Sequence, residues 1–312
     1  MIVVVSLNPA LDITHEVSSP DWKGVNRPHA VHVRPGGKGV NVARTLAALG
    51  AEVTLLGLAG GPSGEELSWL LAGSGMSVGL TPIRARTRRT FAVVDTGSGE
   101  AALFNEPGPP VSDGEYGEFV AAYQEAAAGA AVVVLSGSLP VGVPSSAYAE
   151  LIAAARPLSV PVILDSSGAA LALGAAARPA LVKPNVAELA EVTGRCPPLA
   201  DMKEVAKAGR ELGPAVAVSL GPDGVLAVTE EGGWLARPGE VVRGNPTGAG
   251  DALVAGLADG FARGLGWPER LRHGVALGAA SVAAPAAGEY SETEYRRQLP
   301  LADVREAGPR WD

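Results

Sequence analysis

Six short runs of this chain are apolar at consecutive positions instead of alternating with polar residues. They read IVVVSL, VTLLGLA, AVVVLSG, PVILDSS, ALVKPN and AVAVSLG, at residues 2–7, 53–59, 131–137, 161–167, 180–185 and 215–221. Strands that are apolar on both faces are typical of parallel sheets covered by helices on each side. Since Ala-rich segments with helical spacing separate the runs, the pattern predicts an α/β fold. We expect a doubly wound, mostly parallel sheet flanked by helices.

Two of the separating segments carry clear helix signals. Residues 39–50 place Val42, Leu46 and Leu49 on one stripe and end at a glycine, as helices commonly do. Residues 112–129 open with a serine suited to an N-cap and have acidic residues in the first turn. The polar tail after Gly288 predicts one last short helix.

Two further stretches, residues 11–35 and 87–108, alternate apolar and polar positions. The second contains Gly-Ser-Gly at residues 97–99, which predicts a hairpin turn. We therefore expect one domain over residues 1–312, with a small antiparallel β lid formed by these two insertions. On pattern alone, surface hairpins without a special role are an equal alternative.

Charge and cysteine content exclude several classes of function. The 312 residues carry a formal net charge of −8, which argues against a general nucleic-acid binder because that role needs a basic surface. The one cysteine, Cys196, excludes an intrachain disulfide and favours a reducing compartment. No apolar run approaches the roughly 20 residues that span a bilayer. We therefore expect a cytoplasmic protein with no membrane partner.

A glycine-rich turn before a helix is the first segment that suggests chemistry. Gly248, Ala249 and Gly250 come directly before Asp251 and the apolar run ALVAGLADG. Such a turn presents backbone amides and the positive end of a helix dipole, which favour a phosphate. Asp251 could then accept a proton from a hydroxyl; a helix-start acid stabilised by the dipole is the alternative. The dipole lowers the pKa of such an acid, so we expect a weak base that mainly orients the hydroxyl.

A second glycine-rich turn, Gly36 and Gly37, precedes Lys38. It is not a Walker A loop, because His32 and Gly39 occupy positions where that motif needs glycine and Ser or Thr. No G-x-G-x-x-G fingerprint opens a helix, so a dinucleotide site is unsupported. A tight backbone approach beside one cation suits a polyol or its phosphate, and an ordinary strand-to-helix turn is the alternative.

Two strand ends provide candidate nucleotide contacts. Lys183 and Asn185 end the fifth apolar run and Glu188 follows it, at the edge where doubly wound sheets bind ligands. An amide and a carboxylate with this spacing could hold a hydrated Mg²⁺ through its waters, or simply start a helix. The turn at residues 218–224 suits a nucleotide phosphate or ribose, or a plain hairpin. Asp165 lies at another predicted strand end, and a lone acid at such a place is more often structural than functional.

Taken together, the motifs resemble one family, the ribokinase-like carbohydrate kinases, also called the PfkB family. The resemblance covers nearly the whole chain, with NPALD, GGKGVNVA, NEPGP, SGSLP, KPNVAEL, SLGPDG and NPTGAGD in the family's order. GAGD before a helix and GGKG-x-N are its two signature regions. SLNPALD, SGSLP and DSSGAAL are most similar to the branch of 1-phosphofructokinases and tagatose-6-phosphate kinases.

The resemblance implies a role for each motif residue. Asp251 would be the catalytic base, with Gly248, Ala249 and Gly250 as the anion hole. The nucleotide side would comprise Lys183, Asn185, Glu188, Ser219, Gly221 and Gly224, with Asn185 and Glu188 organising Mg²⁺. The sugar-phosphate side would comprise Asp12, Gly37, Lys38, Asn41, Arg88 and Ser138. The lid of this branch often pairs with a second lid, which implies a homodimer.

The implied activity is an ATP- and Mg²⁺-dependent kinase for a ketohexose monophosphate. We expect fructose 1-phosphate to be converted to fructose 1,6-bisphosphate. Tagatose 6-phosphate, giving tagatose 1,6-bisphosphate, is the alternative, and fructose 6-phosphate is a further one. A catalytically silent sugar-phosphate sensor is less supported, because Asp251 and the Asn185-x-x-Glu188 motif are intact.

Overall fold

The computed structural model describes residues 1–198 and 201–307, in which strands and helices alternate over most of the chain. The strands are β1 Ile2–Ser6, β2 Ala10–Val17, β3 Ala30–Gly36, β4 Val53–Ala59, β5 Ser77–Pro82, β6 Arg88–Asp95, β7 Ala101–Asn105, β8 Val132–Ser136, β9 Val162–Asp165, β10 Leu181–Val182, β11 Val216–Ser219, β12 Val225–Val228, β13 Gly233–Arg237 and β14 Asp303–Glu306. The helices are α1 Lys38–Ala48, α2 Gly61–Ala72, α3 Asp113–Ala127, α4 Ala147–Ala155, α5 Gly168–Ala176, α6 Val186–Thr193, α7 Met202–Arg210, α8 Ala249–Ala262, α9 Trp267–Val282 and α10 Glu292–Leu301.

The main sheet has ten strands in the order β14-β13-β12-β11-β10-β9-β8-β1-β4-β5. The strands from β11 to β5 are parallel, and the strand order reverses between β1 and β8. All six apolar runs form strands of this parallel part, so the predicted doubly wound sheet is confirmed. In such sheets ligands bind at the carboxyl ends of the strands beside the point of reversal.

Three antiparallel strands extend the sheet at one edge. β12 forms a hairpin with β11, β13 pairs with β12, and β14 pairs with β13. The tail contains the predicted short helix, α10, and also β14, which the pattern did not predict. Its four residues Asp-Val-Arg-Glu contain one apolar side chain, so no strand pattern was visible there.

Helices cover both faces of the main sheet. One layer comprises α3 to α7 and includes three fully buried aromatic side chains, Phe119, Tyr123 and Tyr148. The other layer comprises α1, α2, α8 and α9 and is built mainly from Val, Leu and Ala, with Trp267 at the start of α9. No helix of the described residues is both long and apolar enough to span a membrane.

Both helices predicted from the pattern are present. Ser112 caps α3 with its hydroxyl, and the carboxylate of Glu115 accepts from the Ser112 amide at 2.8 Å. In α1, Val42 and Leu46 are fully buried, and Gly50 follows the helix with a φ of 81°. The capping signals therefore located these helix ends to within a residue or two.

A second sheet has four strands in the order β3-β2-β6-β7 and is called the small sheet below. Its outer pairs are antiparallel, as predicted, and the hairpin between β6 and β7 turns at residues 96–100. Its central pair, β2 and β6, is parallel, so the prediction of a wholly antiparallel sheet was wrong there. The reason is that β2 follows β1 and β6 follows β5. Because β1 and β5 run in the same direction, both end at the carboxyl edge of the main sheet, and β2 and β6 leave that edge in the same direction.

Helix α1 begins directly over the point where the strand order reverses. A Cβ on Gly39 would lie 2.7 Å from Ser6 Cβ, 2.8 Å from the Val5 carbonyl oxygen and 3.1 Å from the Ser136 carbonyl oxygen. Only glycine allows this approach, which brings the first turn of α1 onto the ends of β1 and β8.

The substitution Gly39→Ala should therefore lower the melting temperature by several degrees, since overpacking costs about 1–3 kcal/mol. Gly117→Ala is the matched control, because Gly117 lies in α3 with no heavy atom within 4 Å of an added Cβ. That change should stabilise the protein by about 0.5–1 kcal/mol. Calorimetry of both variants measures the effect, and similar shifts in the two would contradict the close approach.

Candidate active site

Asp251 lies in the first turn of α8, and its side chain is buried against α1. Asn41 of α1 donates a hydrogen bond from Nδ2 to Asp251 Oδ2 at 2.8 Å. The N-cap of α8 is Gly248, with a φ of 89° in the left-handed region that glycine adopts readily. Asp251 and the glycine-rich turn thus lie together at the start of one helix, as the motif predicted.

The pKa of the Asp251 carboxyl is raised from its ordinary 3.8 to about 7. Burial is the main cause, and the negative charge of Asp165 adds to it. The Asn41 hydrogen bond and the positive charges of Lys38 and Lys183 oppose the shift. The expected dipole-lowered acid was therefore wrong in direction, because burial outweighs the helix dipole. A carboxylate with a pKa near 7 is a competent general base near neutral pH.

Two lysines and two further carboxylates lie in the same cluster. Lys38 Nζ is 3.1 Å from Glu188 Oε1 and 3.6 Å from Asp165 Oδ1, and Lys183 Nζ is 3.1 Å from the same Asp165 oxygen. Ser136 at the end of β8 donates to Asp165 Oδ2 at 3.2 Å. Asp165 is almost wholly buried and joins both lysines. It was absent from the predicted site, although its position at a strand end was visible in the sequence.

The charge of Lys38 is stabilised by this cluster. Burial lowers the pKa of its ammonium group, but the carboxylates of Asp165 and Glu188 outweigh that effect and raise the pKa above its ordinary value. Lys38 is therefore a permanent cation beside Asp251. A permanent cation at this place suits a transferring phosphoryl group.

The three small residues of the glycine-rich turn differ in their surroundings. The Ala249 amide donates to the Pro246 carbonyl at 3.1 Å, so it is already paired. A Cβ on Gly250 would meet no heavy atom within 4 Å, so the turn is open on that side. The predicted anion hole thus depends on the Gly248 and Gly250 amides more than on that of Ala249.

Asn185 and Glu188 form a capping box at the start of α6. The Glu188 amide donates to Asn185 Oδ1, and the Asn185 amide donates to Glu188 Oε2, both at 2.8 Å. These two residues therefore do start a helix, as the alternative reading of the motif expected. Glu188 also accepts a hydrogen bond from Lys38. The described residues contain no group of three His, Cys, Asp or Glu that could hold a metal ion. This donor set fits an Mg²⁺ ion held mainly by phosphates and waters, with Asn185 and Glu188 outside its first shell.

The other predicted nucleotide residues lie at the hairpin between β11 and β12. Ser219 pairs with Asn185 through an isolated β-bridge, which joins this hairpin to the start of α6. Gly221 has a φ of 64° and no neighbour within 4 Å of an added Cβ. Gly224 has a φ of 97°, and its Cβ would lie 2.0 Å from the Ala236 carbonyl oxygen. Close packing against the Ala236 carbonyl thus explains why position 224 is a glycine, whereas the space beside Gly221 is open.

Arg88 and Ser138 meet at Asn8, which follows β1. Arg88 Nε donates to the Asn8 carbonyl at 3.2 Å, and Asn8 Nδ2 donates to Ser138 Oγ at 3.0 Å. Burial lowers the pKa of the Arg88 guanidinium, while the charge of Asp12 opposes this. Asn8 was not among the predicted residues, and its place in the motif SLNPALD was the signal that could have found it.

Asp12 lies in β2 of the small sheet and faces the first residues of the second glycine turn. Burial raises the pKa of its carboxyl, and a hydrogen bond from the Thr90 hydroxyl opposes the rise. A Cβ on Gly36 would overlap the Asp12 carboxylate, and a Cβ on Gly37 would lie 3.3 Å from Pro9 Cα. Both glycines of the turn before Lys38 therefore allow close approach, as predicted.

A family comparison decides how this arrangement is to be understood. The sequence model of the family described as "pfkB family carbohydrate kinase" matches residues 5–294 of this chain. The chain belongs to the pfkB family of carbohydrate kinases. This agrees with the family resemblance of the motifs and with the observed fold.

Individual relatives of this PfkB-family chain are phosphofructokinases. It is 39% identical over 285 residues to the 1-phosphofructokinase of Rhodobacter capsulatus, covering 89% of this chain and 90% of that one. It is 36% identical over 289 residues to the ATP-dependent 6-phosphofructokinase isozyme 2 of Escherichia coli, covering 90% and 92%.

Solved structures show the same fold. Phosphofructokinase-2 from Escherichia coli in complex with fructose-6-phosphate superposes with a TM-score of 0.88 at 33% identity, covering 96% of this PfkB-family chain and 98% of that one. Arabidopsis thaliana ribokinase complexed with ribose and ATP superposes with a TM-score of 0.74 at 22% identity, covering 96% and 98%. At this identity, the similarity to ribokinase shows a shared fold only.

The buried carboxylate of Asp251 predicts a pH-dependent stability difference in the ligand-free protein. Because its pKa is about 7 when folded and 3.8 ordinarily, the unfolded chain releases this proton first as the pH rises. The group therefore lowers the free energy of unfolding increasingly between those two values, and by a constant amount above pH 7. Asp251→Asn removes the effect, while Lys38, Lys183 and Asp165 remain.

Thermal unfolding of both proteins from about pH 5.5 to 8.5 checks this. The variant should melt several degrees higher, with a difference that grows up to about pH 7 and is then constant. A pH-independent difference would show that Asp251 has an ordinary pKa.

Proposed function

We propose that this chain is an ATP-dependent kinase that transfers a phosphoryl group to a fructose monophosphate, with fructose 1-phosphate as the first candidate. The observation that carries the proposal is the buried carboxylate of Asp251. It lies at the N-terminus of α8, held by Asn41 and beside Lys38 and Lys183. Membership of the pfkB family supports a carbohydrate kinase site here, and the phosphofructokinase relatives named above favour a fructose phosphate as its substrate.

The chemical step proceeds with Asp251 as the base. The acceptor hydroxyl oxygen forms a bond to the γ-phosphorus of ATP as the bond to the bridging oxygen of ADP breaks. The hydroxyl proton passes to the Asp251 carboxylate, which is why a pKa near 7 suits the role. The amides of Gly248 and Gly250, at the positive end of the α8 dipole, stabilise charge on the transferring group.

The remaining residues neutralise and orient the two substrates. Lys183 supplies positive charge on the side of the ATP phosphates. Lys38, predicted for the sugar-phosphate side, contacts Glu188 and Asp165 and supplies positive charge to the transferring phosphoryl group between the two substrates. Arg88, with Ser138 beside it, binds the phosphate that the sugar already carries. Mg²⁺, when bound to ATP, would supply further charge neutralisation, and Asn185 and Glu188 are the residues that would hold it through its waters.

A second candidate substrate is fructose 6-phosphate. The relatives named 6-phosphofructokinase isozyme 2 and the Escherichia coli complex with fructose-6-phosphate favour it. The Rhodobacter capsulatus 1-phosphofructokinase has a higher identity than the Escherichia coli 6-phosphofructokinase, 39% against 36%, over a similar length. Together with the motifs of the branch, this puts fructose 1-phosphate first. Tagatose 6-phosphate rests on the motif resemblance alone.

The small sheet is the lid in this proposal. Its two hairpins stand at the edge of the main sheet where the site lies, so closure over the sugar would exclude water from the reacting phosphate. Three apolar side chains of its strands are more than half exposed, namely Val31, Leu103 and Phe104. We propose that this surface pairs with a second copy to give a homodimer, and cytoplasmic location stays a prediction.

Asp251→Asn should lower kcat by about 10²–10⁴-fold, since a positioned general base contributes that much. The KM values for sugar phosphate and ATP should change little. Asp113→Asn is the matched control, because Asp113 is also an acid in the first turn of a helix but is exposed. A coupled assay of ADP release measures both. Equal rates for Asp251→Asn and the unsubstituted enzyme would remove Asp251 from the mechanism.

A panel of fructose 1-phosphate, fructose 6-phosphate, tagatose 6-phosphate and ribose tests the substrate. We expect the highest kcat/KM with fructose 1-phosphate and at least about a tenfold loss with ribose, which lacks the charged phosphate. Arg88→Ala should raise the KM of the sugar phosphates and leave that of ATP unchanged. Comparable turnover of all four sugars would contradict the assigned phosphate site.

A further inference from the structure

The loop at residues 287–289 lies directly on the residue that holds the proposed base. Gly288 has a φ of 74°, and an added Cβ would lie 3.2 Å from Asn41 Cα and 3.1 Å from Asn41 Oδ1. The backbone of this loop therefore packs against the Asn41 side chain itself. The atom nearest to such a Cβ is Arg44 Nη1 at 2.9 Å, so a side chain at Gly288 would press on both Arg44 and Asn41.

The same loop packs against the glycine-rich turn on its other side. A Cβ on Gly248 would lie 2.9 Å from Ala287 Cβ and 3.0 Å from Ala287 Cα. The loop thus fills the space between the N-cap of α8 and Asn41 of α1. Displacing it would loosen the Gly248 amide and the Asn41–Asp251 bond together.

Packing is important for Asn41 because its hydrogen bonds do not fully fix its orientation. Its Nδ2 donates to Asp251, but its Oδ1 is buried and has no hydrogen-bond partner among the residues that the structure describes. A primary amide with one bonded end keeps its orientation through its neighbours. Gly288 is the neighbour at that unpaired oxygen.

Arg44 attaches this loop to α1. Its Nη1 donates to the Ala287 carbonyl at 3.0 Å, and its Nη2 donates to Glu289 Oε1 at 3.0 Å. Arg44 lies three residues after Asn41 and therefore on the same face of the helix. Its side chain is only 17% exposed, so this pair is better shielded from solvent than a surface ion pair.

Two further charges meet this pair. Arg34 of β3 has its Nε 3.9 Å from the same Glu289 oxygen, which links the loop to the small sheet. The charge of Arg44 also helps to lower the pKa of the Asp12 carboxyl, against the larger effect of burial. Arg44 thus lies where the small sheet, the loop and α1 meet.

We propose that Arg44, with its partner Glu289, is a positioning residue for phosphoryl transfer. It holds the 287–289 loop in place, and the loop orients both Asn41 against Asp251 and the Gly248 amide against the transferring phosphate. This rests on the function proposed above. Arg44 itself touches neither the base nor the reacting atoms, so its effect is on the rate of the chemical step rather than on substrate binding.

Kinetics of Arg44→Met, Arg44→Lys and Glu289→Gln test the proposal. Arg44→Met should lower kcat by about tenfold to a hundredfold, the cost of a small misplacement, with KM values changed less than about threefold. Arg44→Lys keeps the positive charge that faces Asp12 but loses the guanidinium group that donates to both the Ala287 carbonyl and Glu289. It should therefore recover only part of the rate. Glu289→Gln keeps an acceptor and should be milder than Arg44→Met.

Arg296→Met is the matched control, because Arg296 forms an exposed ion pair with Glu292 on α10, Nη2 to Oε1 at 2.5 Å. Its kcat should stay at the unsubstituted value. A purely structural role for Arg44 would lower the melting temperature while kcat per folded molecule stayed unchanged, and that result would overturn the proposal. A rise in KM without loss of kcat would overturn it as well.

A measurement without turnover separates this proposal from the proposed function. The melting-temperature difference caused by Asp251→Asn is compared across pH in the Arg44→Met background and in the unsubstituted background. Since the Asn41 bond lowers the pKa of Asp251, loosening it should move the midpoint of that pH dependence upward. An unmoved midpoint would show that Arg44 does not position Asn41, whatever the substrate panel shows.

Discussion

Burial of the Asp251 carboxylate between α1 and α8 is the constraint on which the site depends. A carboxylate out of water is costly, so the surrounding groups must be matched to it. Asn41 provides the direct hydrogen bond, and Lys38 and Lys183 provide positive charge at longer range. Because this compensation is only partial, the Asp251 anion is not fully stabilised and the pKa of the carboxyl lies near neutrality. The same imbalance that costs stability therefore gives Asp251 the pKa that the proposed base requires.

The fold explains why these groups converge from distant parts of the chain. The strand order reverses between β1 and β8, and the loops after these strands diverge to opposite faces, which opens a crevice at the carboxyl edge. Helix α1 can enter that crevice because Gly39 lacks a side chain. β2 and β6 leave the same edge and pair in parallel, so the small sheet stands beside the crevice. The positions of the glycine-rich turn before Asp251 and of the small sheet are thus consequences of one topology.

Much of this arrangement could be predicted from local sequence, and the rest depends on contacts between distant segments. The six apolar runs, the Ser112 cap and the glycine turn before Asp251 are local patterns, and each was found. The parallel pairing of β2 with β6 joins segments about 80 residues apart in register, and no local signal encodes it. The direction of the Asp251 pKa shift was wrong for the same reason, since its burial comes from α1. Asp165 was considered but left out of the predicted site, because a single acid at a strand end is usually structural. Its contacts with two lysines become visible only in the fold.

The choice of base among the clustered carboxylates follows from their partners. Asp165 lies within 4 Å of both Lys38 and Lys183, and Glu188 lies 3.1 Å from Lys38. Each of these two therefore has an ammonium group close enough to stabilise its negative charge. Asp251 receives its direct hydrogen bond from the neutral amide of Asn41. Burial without a direct cationic partner therefore accounts for the raised pKa of Asp251. Because the Asn41 hydrogen bond lowers the pKa of Asp251, the orientation of Asn41 affects that pKa, and this is why the loop packed against Asn41 matters for the proposed mechanism.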